Sequence, residues 1–376
     1  MRSSTQLLQD LIALPSVNPA FLPADHPNAG EHRVADYLAS IAAKGGLDVE
    51  FQEVFPNRRN VFARLRPSGK ISQRILLAPH MDTVGLASDV QLNPIEKNGR
   101  LHGRGACDTK GSVAAMLTAL LQAAESGRRP ASTEIVFIGL IDEENNQSGS
   151  RAVASAGFKA DLAIVGEPTR LQVVTAHKGD LWLSLETKGK AAHGARPELG
   201  KNAVHEMARI VDVLETTYRR QLKKRTHPLL GYATINVGSI HGGTQPNIVP
   251  DRCEIAVDRR TLPGETEAGV RREIITLLKK HGLSARIGNN KGADCLALET
   301  DPGRPLVRQL LGLVRQTKPV GVHYFCDASV LSAGGIPSIV FGPGDIAQAH
   351  TADEWISLTS LERGTALLTR FLRSLD

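Results

Sequence analysis

The chain has 376 residues, more than one core of ordinary size holds, so two domains are expected. Hydrophobic residues make up 41% and charged residues 22%, the balance of a soluble globular protein, and no apolar run approaches the roughly 18 residues a bilayer span needs. The net charge of +6 comes from 45 Lys and Arg interleaved with 39 Asp and Glu, and an aromatic content of 4% provides no stacking platform, which argues against nucleic acid as a partner. The densest basic run, residues 218–227, reads as the solvated end of an amphipathic helix. Four cysteines, Cys107, Cys253, Cys295 and Cys326, lack CxxC spacing; neither a disulfide framework nor a Cys-rich zinc site is expected, and a reduced, cytoplasmic setting fits. The first residues break their apolar pattern with Gln and Asp and read as a polar-faced helix rather than a signal peptide.

In chain order, residues 3–14 and 30–46 have helical spacing, the second with Val34, Tyr37, Leu38 and Ile41 on one stripe. Residues 74–79, 133–141 and 161–166 are short, continuously apolar runs, as strands buried on both faces are. A helix over 111–126 separates the first two, giving a βαβ pattern and a mostly parallel sheet; a last buried strand near 339–341 follows a helix-like "DASVLSAGG". Residues 179–288 differ in texture. The segment "DLWLSLETKG" alternates in period two, and after it come a helix over 202–222, strands in "YATINVGSI" and "CEIAVDRRT", a helix near 265–281 and a short strand in "SARIG". That order is the ferredoxin-like split βαβ arrangement. The expected architecture is an α/β catalytic domain from residues 1–178 and 289–376, with an α+β domain of residues 179–288 inserted into it.

Chemistry-bearing residues sit where the parallel strands end. His80 follows the first buried strand, Glu143 and Glu144 the second, Glu167 the third, and His350 follows the last after a loop. Parallel strands end at one edge of the sheet, and ligands bind outside that edge. Histidine nitrogen and carboxylate oxygen suit Zn²⁺, with Co²⁺ or Mn²⁺ as substitutes, and a pair of ions about 3.5–4 Å apart needs a bridge. Asp108, in the loop before the 111–126 helix, is the natural bridge. One ion would take His80 and Glu167, the other Glu144 and His350. Asp82, two residues past His80, is placed to accept that imidazole's other N–H. Glu143 points away from its neighbour and suits a general base that takes a proton from the attacking water and delivers it to the leaving nitrogen. Taken singly, "DEE" is more often a solvated loop and a lone histidine more often structural. Together, the acidic residues of one edge would repel one another without cations.

The strings "HMD" at His80–Asp82, "GRGACDTKG" at 103–111, "DEE" at 142–144, "GEPT" at 166–169 and "AHTADE" at 349–354 follow in this order. With them the chain resembles the di-zinc metallopeptidase family of aminoacylase and carboxypeptidase-G type, over essentially its whole length. The resemblance implies that the inserted domain is a lid or dimerisation domain and that the enzyme is a homodimer through it. By "GKAAHGARPELGKNAV", His193 is implied to stabilise the tetrahedral oxyanion, in cis or from a partner subunit. By "GGTQPNIVPD" and "VDRRTLPG", Asn247 and Arg260 are implied to contact substrate, with Arg259 as the competing choice. Two departures stand out: Gly85 replaces a proline common after the "HxDxV" string, and "NNQ" delays the Gly149–Ser150 pair after "DEE".

The expected function is metal-dependent hydrolysis of the amide of an N-acyl amino acid. N-acetylornithine in arginine biosynthesis leads, since "HKG" at 177–179 and "GPGDIAQAHTADEW" lie nearer to that branch of the family. Alternatives are a succinyl-diaminopimelate desuccinylase, a dipeptidase or glutamate carboxypeptidase, and a non-catalytic amino-acid-binding relative, which an intact Glu143 disfavours.

Overall fold

A computed structural model describes residues 2–125 and 129–376. They form two compact units: one from the chain up to Thr175 with Thr300–Val320 and Cys326–Asp376, the other from Ala176–Glu299 with Gly321–Phe325.

The first unit is built on a mixed, mostly parallel sheet. Thr133–Gly139, Gln73–Pro79, Leu162–Gly166 and Ser338–Val340 lie side by side in that order, all parallel. Thr133–Gly139 and Leu162–Gly166 are buried at every position, which is why their sequences are continuously apolar rather than alternating. An antiparallel hairpin, Asp48–Phe55 with Arg58–Leu65, extends the sheet beyond Thr133–Gly139. It is not among the elements expected from sequence. Its signal was present: Val49, Phe51 and the polar residues between them alternate in period two, and Asn57 takes a left-handed conformation in the connecting turn.

Helix Lys110–Glu125 is buried on nearly every side, because the helices Ser4–Ala13 and Leu358–Arg373 pack on it and it lies against the sheet. Its Ala- and Leu-rich sequence shows the matching absence of a polar face. The last residue of the expected 111–126 helix, Ser126, lies outside the described residues. Helix Ser4–Ala13 begins with a capping box in which Ser3 and Gln6 satisfy each other's backbone N–H groups, and it buries Leu7, Leu8, Leu11 and Ile12. Removing the Ser3 hydroxyl should cost about 1 kcal/mol.

The second unit is a four-stranded antiparallel sheet in the order Thr234–Gly242, Arg252–Thr261, Gly179–Lys188, Arg286–Asn289. Helices Ala203–Asp212 and Glu267–Lys280 supply its βαββαβ crossovers. In Arg252–Thr261 the alternate residues Cys253, Ile255, Val257 and Arg259 are buried. The expected 202–222 helix is not uniform. A π-helical stretch, Val213–Tyr218, interrupts it before Arg219–Leu222. The wider turn carries the fully buried Tyr218, whose hydroxyl donates to Glu273 at 3.0 Å and accepts from Arg259 Nε at 3.5 Å. Among the described residues no helix is long and apolar enough to cross a membrane.

Candidate active site

In the first unit the parallel strands deliver their chemistry to one edge. His80 directly follows Gln73–Pro79, Glu167 directly follows Leu162–Gly166, and Glu143 and Glu144 sit in the turn after Thr133–Gly139. Strand and helix must meet closely for this: a Cβ on Gly166 would lie 2.8 Å from Ser112 Cβ and 2.9 Å from Pro79 Cβ, so no larger residue fits before Glu167. His350 comes to the same edge through the loop after Ser338–Val340, with a positive φ of 62°.

Asp108 stands between the two histidines. Its Oδ1 is 3.2 Å from His80 Nε2 and its Oδ2 3.3 Å from His350 Nε2. His350 Nε2 is also 3.1 Å from Glu144 Oε2, and His80 Nε2 is 3.9 Å from Glu167 Oε1. One donor atom each from His80, Asp108 and Glu144 falls within 4.8 Å of the others. One carboxylate thus faces two nitrogen-and-carboxylate sets, each oxygen turned to a different histidine.

Protein partners leave this cluster unfinished. Among the described residues, Glu144 Oε1 and Glu167 Oε1 are buried with no hydrogen-bond partner, a costly arrangement unless something else binds them. Burial pushes the Glu143 and Glu167 carboxyls well above the usual range; the nearby His80 charge opposes this, and surrounding carboxylates reinforce it. Glu144 is pushed up to about 7 by burial and by Asp108. His350 rises to about 10 through its hydrogen bonds to Asp108 and Glu144, and His80 rises well above its ordinary value because hydrogen bonds to Asp108 and Asp82 outweigh its burial. A buried carboxylate group that would rather hold protons than charge is a site short of positive charge. Oxygen and imidazole donors with unpartnered buried lone pairs fit divalent cations.

Asp82 links the strand ends. His80 Nδ1 donates to Asp82's carbonyl oxygen at 3.0 Å, with the Asp82 carboxylate 3.4 Å away, which leaves Nε2 as the nitrogen facing Asp108. The Asp82 carboxylate accepts from the backbone N–H of Glu143 and of Glu144, both at 3.1 Å, and from Asn18 Nδ2 at 2.8 Å. Asn18 also donates to Asp142, which adopts a positive φ of 65° and is held by Arg58 at 3.0 Å. Arg58 in turn forks onto the buried Glu31. Sequence reasoning assigned nothing to Asn18, Glu31 or Arg58. The loop of residues 18–30 offered only its Asn and Pro content as a signal, and that reads equally as a surface connection.

The remaining expected residues lie in the second unit. His193 and Asn247 are exposed, and their loops are joined by a hydrogen bond from Gly194 N to Asn247 O of 2.7 Å. The Ala195 N–H donates to His193 Nδ1, which leaves Nε2 to carry the proton of the neutral ring. Arg259 and Arg260 have different employments. The Arg259 side chain is fully buried and paired with Glu265 at 2.8 Å, whereas Arg260 lies on the opposite face, 30% exposed, and forks onto Asp258.

Residues 76–374 match Peptidase family M20/M25/M40. The chain is similar to the acetylornithine deacetylase of Proteus mirabilis (strain HI4320), 31% identical over 388 residues that cover 98% of this chain and 96% of that one. Its fold is similar to that of aminopeptidase PepT from Bacillus cereus, with a TM-score of 0.77, 22% identity and coverage of 97% and 96%. It is likewise similar to the Bacillus subtilis YXEP protein, described as a dinuclear metal binding peptidase from the M20 family, with a TM-score of 0.71, 13% identity and coverage of 98% and 96%. The chain belongs to peptidase family M20/M25/M40 and is a hydrolase acting on amide bonds.

Proposed function

We propose that this enzyme removes the acyl group of an N-acyl amino acid, with N-acetylornithine as the substrate and two divalent cations, zinc in the first instance, at the edge of the parallel sheet. The observation that carries the metal reading is the Asp108 carboxylate, with one oxygen toward each histidine and unpartnered buried oxygens of Glu144 and Glu167 beside it. His80 and Glu167 would hold one ion, Glu144 and His350 the other, and Asp108 would give an oxygen to each. When bound, such ions polarise the amide carbonyl and make a water acidic enough to attack at neutral pH.

The chain's own residues divide the rest. Glu143 takes the proton of the attacking water and passes it to the leaving nitrogen; its burial-raised carboxyl is suited to holding that proton between the two steps. Asp82 fixes the tautomer of His80 and, through two backbone N–H groups, the position of the Glu143–Glu144 turn. His193 Nε2 donates to the oxyanion that develops on the carbonyl oxygen. Arg260, the more accessible of the two adjacent arginines, grips the substrate carboxylate, and Asn247 contacts the amide. The second unit serves as lid and as dimer interface. Support for the latter is its edge strand Thr234–Gly242, paired on one side only among the described residues, with Ile240 51% exposed.

The choice of substrate rests on the 31% identity to an acetylornithine deacetylase. The test is a hydrolysis panel of N-acetylornithine, N-acetylcitrulline, N-succinyl-diaminopimelate and dipeptides, with zinc or cobalt added. Turnover of N-acetylornithine above the others is expected; cleavage of dipeptides with none of the N-acyl amino acids would replace this reading with a peptidase.

A further inference from the structure

Glu354 is wholly buried four residues beyond His350, and no step described above uses it. Its carboxylate accepts four hydrogen bonds. Oε1 takes the backbone N–H groups of Cys107 at 2.8 Å and Asp108 at 2.9 Å; Oε2 takes the Gly105 N–H at 3.0 Å and Arg104 Nη1 at 2.8 Å. All four donors come from the loop that carries Asp108. That loop curls around the carboxylate at Gly105, whose φ of +81° an L side chain rarely adopts, and a Cβ there would meet Lys110 Cδ at 2.8 Å.

The backbone around Glu354 is tied to the same loop. Gly103 N donates to the Glu354 carbonyl at 3.1 Å, and Gln91, whose own carbonyl accepts from Arg104 N, sends its side-chain amide to the Ala352 carbonyl at 2.9 Å. Glu354 therefore joins two loops remote in sequence: the one bearing Asp108 and the one bearing His350. Those residues supply the contact of 3.3 Å between Asp108 Oδ2 and His350 Nε2.

We propose that Glu354 is a positioning residue for the cation pair, setting the orientation of Asp108 and its separation from His350 by using its carboxylate as the core around which the 104–108 loop is wound. The inference rests on the metal reading of the site given above. A carboxylate is required because both oxygens must accept. A glutamine would turn an NH₂ group toward two of the four donors, and an aspartate would fall short by one methylene. Groups that orient metal ligands from behind typically contribute 10–100-fold to metal affinity, and that is the effect expected here.

The test uses full-length enzyme stripped with a chelator and titrated with Co²⁺, followed by calorimetry and by the visible absorption of the bound cobalt. Wild type, Glu354→Gln and, as a control on the adjacent exposed residue, Asp353→Asn are compared on samples with matching far-UV circular dichroism. Glu354→Gln should bind cobalt 10–100-fold more weakly with an altered cobalt spectrum, while Asp353→Asn matches wild type. Wild-type affinity and spectrum in Glu354→Gln would overturn the proposal, even if the metal-free variant melts earlier, since that would mark a purely structural role. Should Glu354→Gln fail to fold, Arg104→Lys decides: weakening of several-fold supports the proposal and unchanged binding overturns it. A wild-type protein that takes up no cobalt sinks the metal reading itself, an outcome distinct from tight wild-type binding with indifferent variants.

Discussion

The two units differ in how densely they bury charge of one sign. In the second, buried Arg259 meets Glu265 at 2.8 Å and buried Asp180 meets Lys291 at 2.7 Å, while buried Lys178 donates to the Tyr232 carbonyl at 2.7 Å. In the first, Asp108, Glu143, Glu144 and Glu167 crowd one sheet edge, two histidines are their nearest cations, and oxygens of Glu144 and Glu167 are left over. Balanced burial serves a fold, whereas unbalanced burial costs free energy that only a ligand returns. The contrast favours the sheet edge of the first unit as the place where cations bind.

Removing a group from the unbalanced edge should break the contrast most visibly. Glu143→Gln should lower kcat by about 10²–10⁴-fold while metal content, read by elemental analysis, stays at the wild-type level. Activity close to wild type would remove Glu143 from the role of base. His193→Ala should cost about 10²–10³-fold in kcat with the metal retained, and a change confined to KM would make it a binding residue instead.

The paired arginines sharpen the comparison within the second unit. Arg259→Met removes the fully buried partner of the half-buried Glu265, which keeps Arg225 at 3.4 Å, so chemical denaturation should show a loss of about 3 kcal/mol, the low end for a broken buried pair. Arg260→Met should leave stability nearly intact and raise KM for the carboxylate-bearing substrate. Reversal of the two outcomes would mean that the substrate contact belongs to Arg259.

The smallest expected effect concerns His177, fully buried in the second unit, whose pKa burial lowers to about 4 although its hydrogen bond to the Lys178 carbonyl opposes this. A histidine depressed on folding binds fewer protons in the native state than in the unfolded state between its folded value and about 6.5. Stability should therefore fall as pH drops through that window. Between pH 7 and pH 4.5 the loss from this one group is about 2–3 kcal/mol. His177→Leu should flatten that part of the pH dependence of unfolding; an identical slope in the variant would show that the ring is not buried neutral.

The positions of His80, Glu143, Glu144 and Glu167 were legible in the sequence because continuously apolar runs announce strands buried on both faces, and parallel strands share one carboxyl edge. The hairpin Asp48–Phe55 with Arg58–Leu65 was missed for the opposite reason: Asp48–Phe55 is mostly exposed, so its alternation is diluted by Glu and Gln. Support behind the site was the least legible. Glu354 reaches the Asp108 N–H across 246 positions of sequence, and Asn18 reaches Asp142 across 124. A hydrogen bond from one loop's backbone to another loop's side chain leaves no periodicity, since it depends on the path of both loops. The string "AHTADE" held Glu354 in plain view, but nothing in its spacing distinguishes a buried acceptor from a solvated acid.

Cation stoichiometry addresses the unbalanced edge most directly. Chelator-stripped wild type and Asp108→Ala should be titrated with zinc by isothermal calorimetry. Two ions per chain in the wild type, with both bound far more weakly in Asp108→Ala, is the result expected of a shared carboxylate. One ion per chain, or two that bind Asp108→Ala as tightly as wild type, would contradict the bridged pair.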